Sequence, residues 1–124
     1  MRTLRKGEDI AMRLEALGIQ CMKIACALPK GVAYRNVAQQ LARAGTAAGA
    51  NYEEARNAES RADFIHKVRL AAKEVGETLY WLRLAHGAGI APLAPALIFD
   101  ANQLAAILNA SAATARANSV PQNS

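Results

Sequence analysis

The sequence predicts an all-α fold, an antiparallel up-down-up-down four-helix bundle, on three observations. Apolar or small residues recur at alternating spacings of four and three in four separate segments, and this period keeps one stripe of each helix against its neighbours. Residues that favour turns separate the segments. The connections are short, which makes consecutive helices antiparallel neighbours. No segment shows the two-residue alternation that is typical of a strand.

Each segment carries its own stripe of apolar or small residues. The four stripes run through residues 10–28, 34–55, 65–86 and 97–115. From residue 43 the second segment presents a helix face made almost entirely of Ala, Gly and Thr, whereas the third carries large apolar residues. Because small residues allow a close approach of neighbouring backbones, we expect the second helix to pack tightly.

Helix-breaking and helix-capping residues mark the boundaries between segments. The stretches 28–31 and 87–92 contain Pro and Gly, and proline cannot continue a helix. Asn57 is suited to a left-handed position at the end of the second helix. Ser60 is placed to cap the third helix, with Asp63 three residues later as in a capping box.

The length of 124 residues predicts one domain. We place the bundle at residues 1–116, with Pro95 in the first turn of the fourth helix. Residues 117–124 have no apolar face, so we expect them to form a disordered tail.

The sequence gives no sign of membrane insertion or export. No stretch reaches the ~20 consecutive apolar residues that a membrane-spanning helix needs. Residues 1–10 carry charges but no apolar core of a secretory signal. We therefore expect a cytoplasmic location without membrane contact.

Cys21 and Cys26 are the only cysteines of the chain. Placed on one helix, they point about 140° away from each other and cannot form a disulfide within it. No further Cys or His pair completes a zinc site. The simplest interpretation is that both are buried, reduced thiols.

The residues of catalytic and metal sites are also incomplete. Bundles that hold two metal ions use Glu-x-x-His on two helices, and here one related pair occurs, Asp63 with His66. No Ser/His/Asp or Cys/His set and no Gly-rich phosphate loop after a strand is recognisable. We therefore predict a protein that is not an enzyme and holds neither a metal nor a cofactor.

The third segment has a second set of large apolar residues outside its main stripe. A helix that is apolar around much of its circumference is buried on more than one side. Either another subunit covers this face, or the core stripe of the helix is simply broad. The candidate residues of an oligomer interface are Phe64, Leu70, Trp81 and Leu84.

Asn51 and Glu54 form a polar pair near the end of the small-residue stripe. Asn51 falls on the core stripe, where an unpaired amide would cost roughly 1–3 kcal/mol. We therefore expect its amide to be bonded across helices, in a structural role, because a core Asn commonly fixes register or assembly. Binding of a ligand is the alternative role for the pair.

Three stretches of the chain read A-G-T-A-A-G-A-N-Y-E-E-A-R, S-R-A-D-F-I-H-K and A-A-K-E-V-G-E-T-L-Y-W-L. They resemble the small four-helix-bundle proteins of the intervening sequences of bacterial 23S ribosomal RNA. Many members of this family have Gly directly after the Glu that follows the Asn, whereas in this chain Ala55 follows Glu54. The positions that carry the resemblance are Asn51, Glu53 or Glu54, Ser60, Asp63, Phe64, Glu74, Glu77 and Trp81.

The resemblance implies an antiparallel four-helix bundle that assembles as a homo-oligomer, a pentameric ring. It also implies distant kinship to the accessory protein of diversity-generating retroelements, which associates with a reverse transcriptase and RNA. A ring would account for the additional apolar face on the third helix.

The net charge of +5 keeps a small protein soluble or indicates an anionic partner such as nucleic acid. In the predicted topology the loops after the first and third helices lie at one end, which brings together Lys30, Arg35, Arg83 and His86 as candidate anion-binding residues. Basic residues at the opposite end are offset by acids. Basic residues near helix C-termini also complement the helix dipole, and the basic arm at residues 2–6 is an alternative site.

These observations predict a non-enzymatic oligomeric bundle, a scaffold or accessory protein that engages RNA or a nucleoprotein such as a reverse transcriptase. The alternative is a helical protein–protein adaptor that does not bind nucleic acid.

Overall fold

The computed structural model describes residues 4–118 as four α-helices joined by short loops. They are α1 (Glu8–Ala27), α2 (Val32–Arg56), α3 (Arg61–Gly87) and α4 (Ala94–Asn118). Each helix packs on the next along the chain, and α4 packs back on α1. The predicted all-α four-helix bundle is confirmed. None of these four helices is both long enough and apolar enough to cross a membrane.

Contacts between side chains show that α2 and α3 are antiparallel. Glu54, near the end of α2, pairs with Lys67 near the start of α3 at 3.5 Å. Arg43, in the middle of α2, pairs with Glu77 in the second half of α3 at 2.6 Å. The α1–α2 and α3–α4 loops therefore lie at the same end of the bundle.

The small residues of α2 bring its backbone against α1. A Cβ atom built at Gly45 would lie 2.5 Å from the Cβ and 2.6 Å from the Sγ of Cys21. A Cβ atom at Gly18 would lie 3.2 Å from the carbonyl oxygen of Gly45. A side chain at position 45 would require Cys21 to shift, and one at position 18 would be in tight contact with the α2 backbone, so the close packing predicted for the second helix is confirmed.

A continuous hydrophobic core runs between the four helices. Its largest fully buried members include Leu14 of α1, Leu41 of α2, Leu82 of α3, and Leu104 and Leu108 of α4. All five belong to the predicted stripes. The core therefore follows the heptad-like spacing of the sequence.

The buried side of α3 differs in part from the predicted stripe. Ala71, Thr78 and Ala85 are fully buried, whereas Ala72 is half-buried and His86 is exposed. Four larger residues of the predicted stripe are buried as well: Val68, Val75, Leu79 and Leu82. The buried side of α3 is therefore broader than the predicted stripe and extends to one side of it, with small residues at the added positions.

The helix ends follow the predicted boundaries with one correction. The Ser60 Oγ accepts a hydrogen bond of 3.0 Å from the Asp63 amide, which confirms the N-cap of α3. Asn57 is not left-handed, as its φ is −106°. Its backbone amide donates to the carbonyl of Glu54 and its side chain to that of Glu53, so the last carbonyls of α2 are satisfied without a left-handed residue.

The fourth helix is longer than predicted. It begins at Ala94, so Pro95 lies in its first turn as expected. It continues to Asn118, two residues beyond the predicted end of the bundle at residue 116. The rest of the predicted tail, residues 119–124, lies outside the described residues.

The two cysteines have different environments. Cys21 is fully buried in the core, as predicted, but Cys26 is exposed on the last turn of α1. The prediction of two buried thiols is therefore wrong for Cys26. Five residues apart on one helix, the two side chains point about 140° away from each other. Only one of them can therefore lie on the buried face of α1.

Candidate nucleic-acid interface

Four basic side chains are exposed at the end of the bundle that holds the α1–α2 and α3–α4 loops. Lys30 lies in the first loop and Arg35 in the first turn of α2, while Arg83 and His86 lie in the last two turns of α3. None of the four forms an ion pair with any residue between positions 4 and 118. The topology thus brings them to one end, although no contact joins them.

The acidic residues nearest to this end form ion pairs with arginines other than these four basic residues. Asp100 of α4 accepts from the Arg13 Nη2 at 2.6 Å. Glu77 of α3 accepts from the Arg43 Nη2 at 2.6 Å, and Glu74 accepts from the Arg43 Nη1 at 3.1 Å. Hydrogen bonding to Arg43 lowers the pKa of Glu77, which keeps this carboxylate charged and held on the α2 side.

The opposite end of the bundle has a different charge distribution. There Arg56 pairs with Glu53 at 3.2 Å, and Lys67 pairs with Glu54 at 3.5 Å. Exposed pairs of this kind add little stability, but they reduce the local positive potential. At this end Arg61 and Lys6 form no ion pair with a residue between positions 4 and 118, but exposed Glu59 lies close to Arg61 in the chain. The loop end, in contrast, has no unpaired acid among the residues named above.

A second basic surface follows the outer side of α3 and is not predicted by the sequence analysis. Arg69, Lys73, Gly76, Tyr80 and Arg83 are all exposed and are spaced by four, three, four and three residues. We call these five residues the α3 face. The signal was present in the sequence, as the stripe opposite the core has no acidic residue at these positions. Apolar periodicity does not reveal this surface, because it identifies only the buried side of a helix.

A shallow groove of about 450 Å³ lies beside the α3 face, between α2 and α3. Its wall on α3 includes Lys73, Gly76, Tyr80 and Trp81. The rings of Tyr80 and Trp81 meet edge to face, with centroids 5.0 Å apart and planes at 77°. A Cβ atom built at Gly76 would touch nothing within 4 Å.

Comparisons with known proteins place the chain in a family. A family model described as the 23S rRNA-intervening sequence protein matches residues 9–110. The chain belongs to this family. The match extends from the start of α1 through most of α4, so it covers the four-helix core as well as the loop end with its basic residues.

A solved structure supports the same assignment. The crystal structure of a protein of unknown function from the S23 ribosomal protein family of Bacteroides thetaiotaomicron is 28% identical to this chain and superposes with a TM-score of 0.73. The similarity covers 83% of this chain and 97% of that chain. No curated protein matches the chain significantly.

The polar pair of this family member does not join helices in the expected way. Asn51 is half-buried, and its Nδ2 donates to the carbonyl of Ala47 at 3.0 Å, one turn earlier in α2. The expected bond across helices is therefore wrong, because the amide is satisfied within its own helix. Glu54 does join two helices through its ion pair with Lys67, but both side chains are at the surface.

The four residues proposed for an oligomer interface are exposed to different degrees. Phe64 and Trp81 are half-buried against the core, and Leu70 is half-buried as well. Only Leu84 is exposed, at 41%. Much of the additional apolar face of α3 is thus covered within the chain, and its role in assembly stays a prediction.

The exposed large apolar side chains lie mainly on other elements of this family member. Met12, Ile19 and Met22 are each about half exposed on the outer side of α1. We call these three residues the α1 patch. Leu93, just before α4, and Phe99, in the second turn of α4, are exposed as well. The exposure of these five residues was not predicted, because hydrophobic periodicity identifies only the inward stripe of each helix.

The titratable groups of the described residues do not form a metal site. No cluster of three or more His, Cys, Asp or Glu side chains between residues 4 and 118 is arranged to hold a metal ion. Burial raises the pKa of the Cys21 thiol to about 12, so at neutral pH it is protonated and a poor nucleophile. Burial also raises the pKa of Tyr52.

Proposed function

We propose that this member of the 23S rRNA-intervening sequence protein family is a non-enzymatic, homo-oligomeric scaffold that binds RNA at its basic loop end. The observation that carries the proposal is the set of exposed basic residues Lys30, Arg35, Arg83 and His86 at one end of the bundle, none of which forms an ion pair with a residue between positions 4 and 118. Phosphate groups are the partners that such a surface attracts over distances of about a Debye length.

Assembly into a ring would increase this attraction. In a cyclic homo-oligomer, with a pentamer as the proposed form, every copy presents its basic end around a common axis, and the fields of the copies add. The α1 patch supports a subunit contact, because its apolar side chains remain exposed after the bundle has formed. The larger assembly we propose is a nucleoprotein, for example with a reverse transcriptase.

A protein–protein adaptor is the second candidate, and one observation favours it. A groove of about 530 Å³ between α1 and α2 is lined by the α1 patch and by small residues of α2 such as Thr46, Gly49 and Ala50. A groove of this kind is suited to an amphipathic helix of a partner protein. An adaptor of this type would not need the basic end.

The experiment that separates the two functions measures RNA binding by fluorescence anisotropy at several salt concentrations. RNA binding by the unmodified protein should weaken steeply with salt, because counterions are released from the RNA. The double charge reversal R35E/R83E should reduce the affinity and flatten the salt dependence without changing the oligomer mass.

The matched control is R61E/K67E, which changes the net charge equally but at the opposite end of the bundle. It should bind more tightly than R35E/R83E. If R35E/R83E binds as tightly as the unmodified protein, the proposed end is wrong, and the N-terminal arm with Arg5 and Lys6 becomes the site. Arg2 of that arm lies outside the described residues. No RNA binding at low salt would favour the adaptor.

A further inference from the structure

We propose that the α3 face is a track for single-stranded nucleic acid, which continues from the basic end along the side of the bundle. The inference rests on the proposed function, since both surfaces would hold the same polymer. The α3 face would be a second binding site. Unlike the basic end alone, it would prefer single strands over duplexes and would offer an aromatic ring for stacking.

The cations of the α3 face form a line without counterions. Arg69, Lys73 and Arg83 occupy nearly one side of α3 over fourteen residues, which corresponds to about 21 Å of helix. All three are exposed, and none forms an ion pair with a residue between positions 4 and 118. Glu74 and Glu77 lie on the same helix, but both carboxylates bind Arg43 of α2.

Tyr80 provides an aromatic surface in the middle of this line. It is 51% exposed, although a tyrosine gains from burying its ring. Its ring meets that of Trp81 edge to face, an arrangement that aromatic pairs favour. Stacking of a base on an exposed aromatic ring requires an unstacked base, which a single strand offers and a duplex does not.

Gly76 leaves the surface between Lys73 and Tyr80 open. Glycine in the interior of a helix destabilises it relative to alanine, and no packing contact explains the residue, because a Cβ atom there would touch nothing. A close approach of a ligand to the helix backbone is a reason for glycine at such a position. The adjoining groove of about 450 Å³ would accept the sugar or base beside the bound phosphate.

The test uses the full chain and a labelled uridine oligonucleotide, with a deoxythymidine oligonucleotide and a duplex RNA as comparison ligands. Both single strands should bind more tightly than the duplex. Comparing the affinities for the uridine and the deoxythymidine oligonucleotide shows whether the α3 face prefers RNA or DNA. The variant R69Q/K73Q should lower the slope of log affinity against log salt by about 1.4, because each phosphate contact on a single strand contributes about 0.7. The control R61Q/K67Q removes the same charge away from the α3 face and should change the slope less.

Two further variants test the parts that do not depend on charge. Y80A should weaken single-strand binding by roughly 5- to 150-fold with an unchanged salt slope, since one stacked base is lost. Y80F keeps the ring and should bind like the unmodified protein. G76A should bind more weakly although its melting temperature rises, a combination that a purely structural role of Gly76 does not produce.

The outcomes separate this inference from the proposed function. If R35E/R83E loses binding while R69Q/K73Q, Y80A and G76A all bind like the unmodified protein, the basic end is correct and the α3 track is wrong. Equal affinity for duplex and single strand would also contradict the track. If G76A changes the oligomer mass in light scattering, the open surface is a protein contact and the inference is overturned.

Discussion

At the scale of single residues, Gly45 and Gly76 have opposite surroundings although both lie inside long helices. The Cβ of alanine at position 45 would lie 2.5 Å from the Cβ of Cys21, whereas the Cβ at position 76 would touch nothing. We expect G45A to lower the free energy of unfolding by about 1–3 kcal/mol, the usual cost of overpacking. We expect G76A to raise it by roughly 0.5–1 kcal/mol.

Chemical denaturation of the two variants beside the unmodified protein measures both changes. The same substitution is made in two helices, so differences in helix propensity cancel. Equal effects of G45A and G76A would show that the close approach of α1 and α2 contributes nothing to stability.

The two thiols provide a second residue-scale prediction. A disulfide reagent at pH 8 should modify Cys26 rapidly and Cys21 only after unfolding, because Cys26 is exposed and burial raises the pKa of Cys21 to about 12. The measurement is the number of thiols that react before and after addition of denaturant. Rapid reaction of both thiols in the folded protein would contradict the burial of Cys21.

The same pKa predicts how stability depends on alkaline pH. The folded protein keeps the Cys21 proton more strongly than the unfolded chain, whose thiol has the ordinary pKa of 9.0. The contribution of the protonated thiol is therefore complete below pH 9 and is lost as the pH rises toward 12. C21A, which has no thiol at this position, should lose less stability than the unmodified protein between pH 8 and 10, as measured by thermal unfolding.

At the scale of the helices, the N-terminus of α3 depends on one side chain. The Ser60 Oγ accepts from the Asp63 amide at 3.0 Å, and the loss of such a cap costs about 1 kcal/mol. S60A should lower the free energy of unfolding by this amount and speed hydrogen exchange in the first turn of α3. The neighbouring E59A, which leaves the cap intact, is the control. An equal loss in E59A would contradict a specific role of the cap.

The helices could be predicted from the sequence because their signals are local. The spacing of apolar residues, the Pro and Gly of the loops and the Ser60 cap each depend on a few neighbouring residues. The burial of Ala71 and Thr78 beside the predicted stripe of α3 could not be predicted, since it depends on how closely the neighbouring helices pack. The partner of Asn51 was likewise wrong, because its own helix supplies an acceptor one turn away.

The candidate site could be predicted only in part, because part of it depends on contacts between helices that no single segment reveals. The basic loop end follows from topology, which the sequence predicts well. The α3 face and the α1 patch are outward surfaces, and hydrophobic periodicity identifies the side of a helix that is buried. Whether Arg69 or Lys73 has a counterion depends on the ion pairs between helices, such as those of Arg43, which no single segment reveals.

At the scale of the whole molecule, the two apolar surfaces make different predictions about assembly. The α1 patch has three large side chains that are about half exposed, whereas only Leu84 of the proposed α3 interface is exposed. A contact through α1 would leave the α3 face open to nucleic acid. We therefore propose that the subunits meet through the α1 patch.

Charge substitutions at the two surfaces test this directly. I19E should dissociate the oligomer, because a carboxylate buried without a partner in a subunit contact is costly, and L84E should leave the mass unchanged. Both parent residues are exposed within one chain, so neither variant should disturb the core, and far-UV circular dichroism verifies this. W81E is less informative, since Trp81 also packs against the core of its own chain.

Light scattering of the three proteins gives a decisive result in each case. A monomer for the unmodified protein would contradict assembly altogether. Dissociation of L84E but not of I19E would show that the subunit interface lies on α3, as the sequence predicts. Tyr80 and Arg83 would then lie beside a neighbouring subunit. Dissociation of I19E alone would support a ring whose copies meet through α1. In that ring, the basic ends and the α3 faces remain together on the accessible surface, where one strand of nucleic acid could contact several subunits.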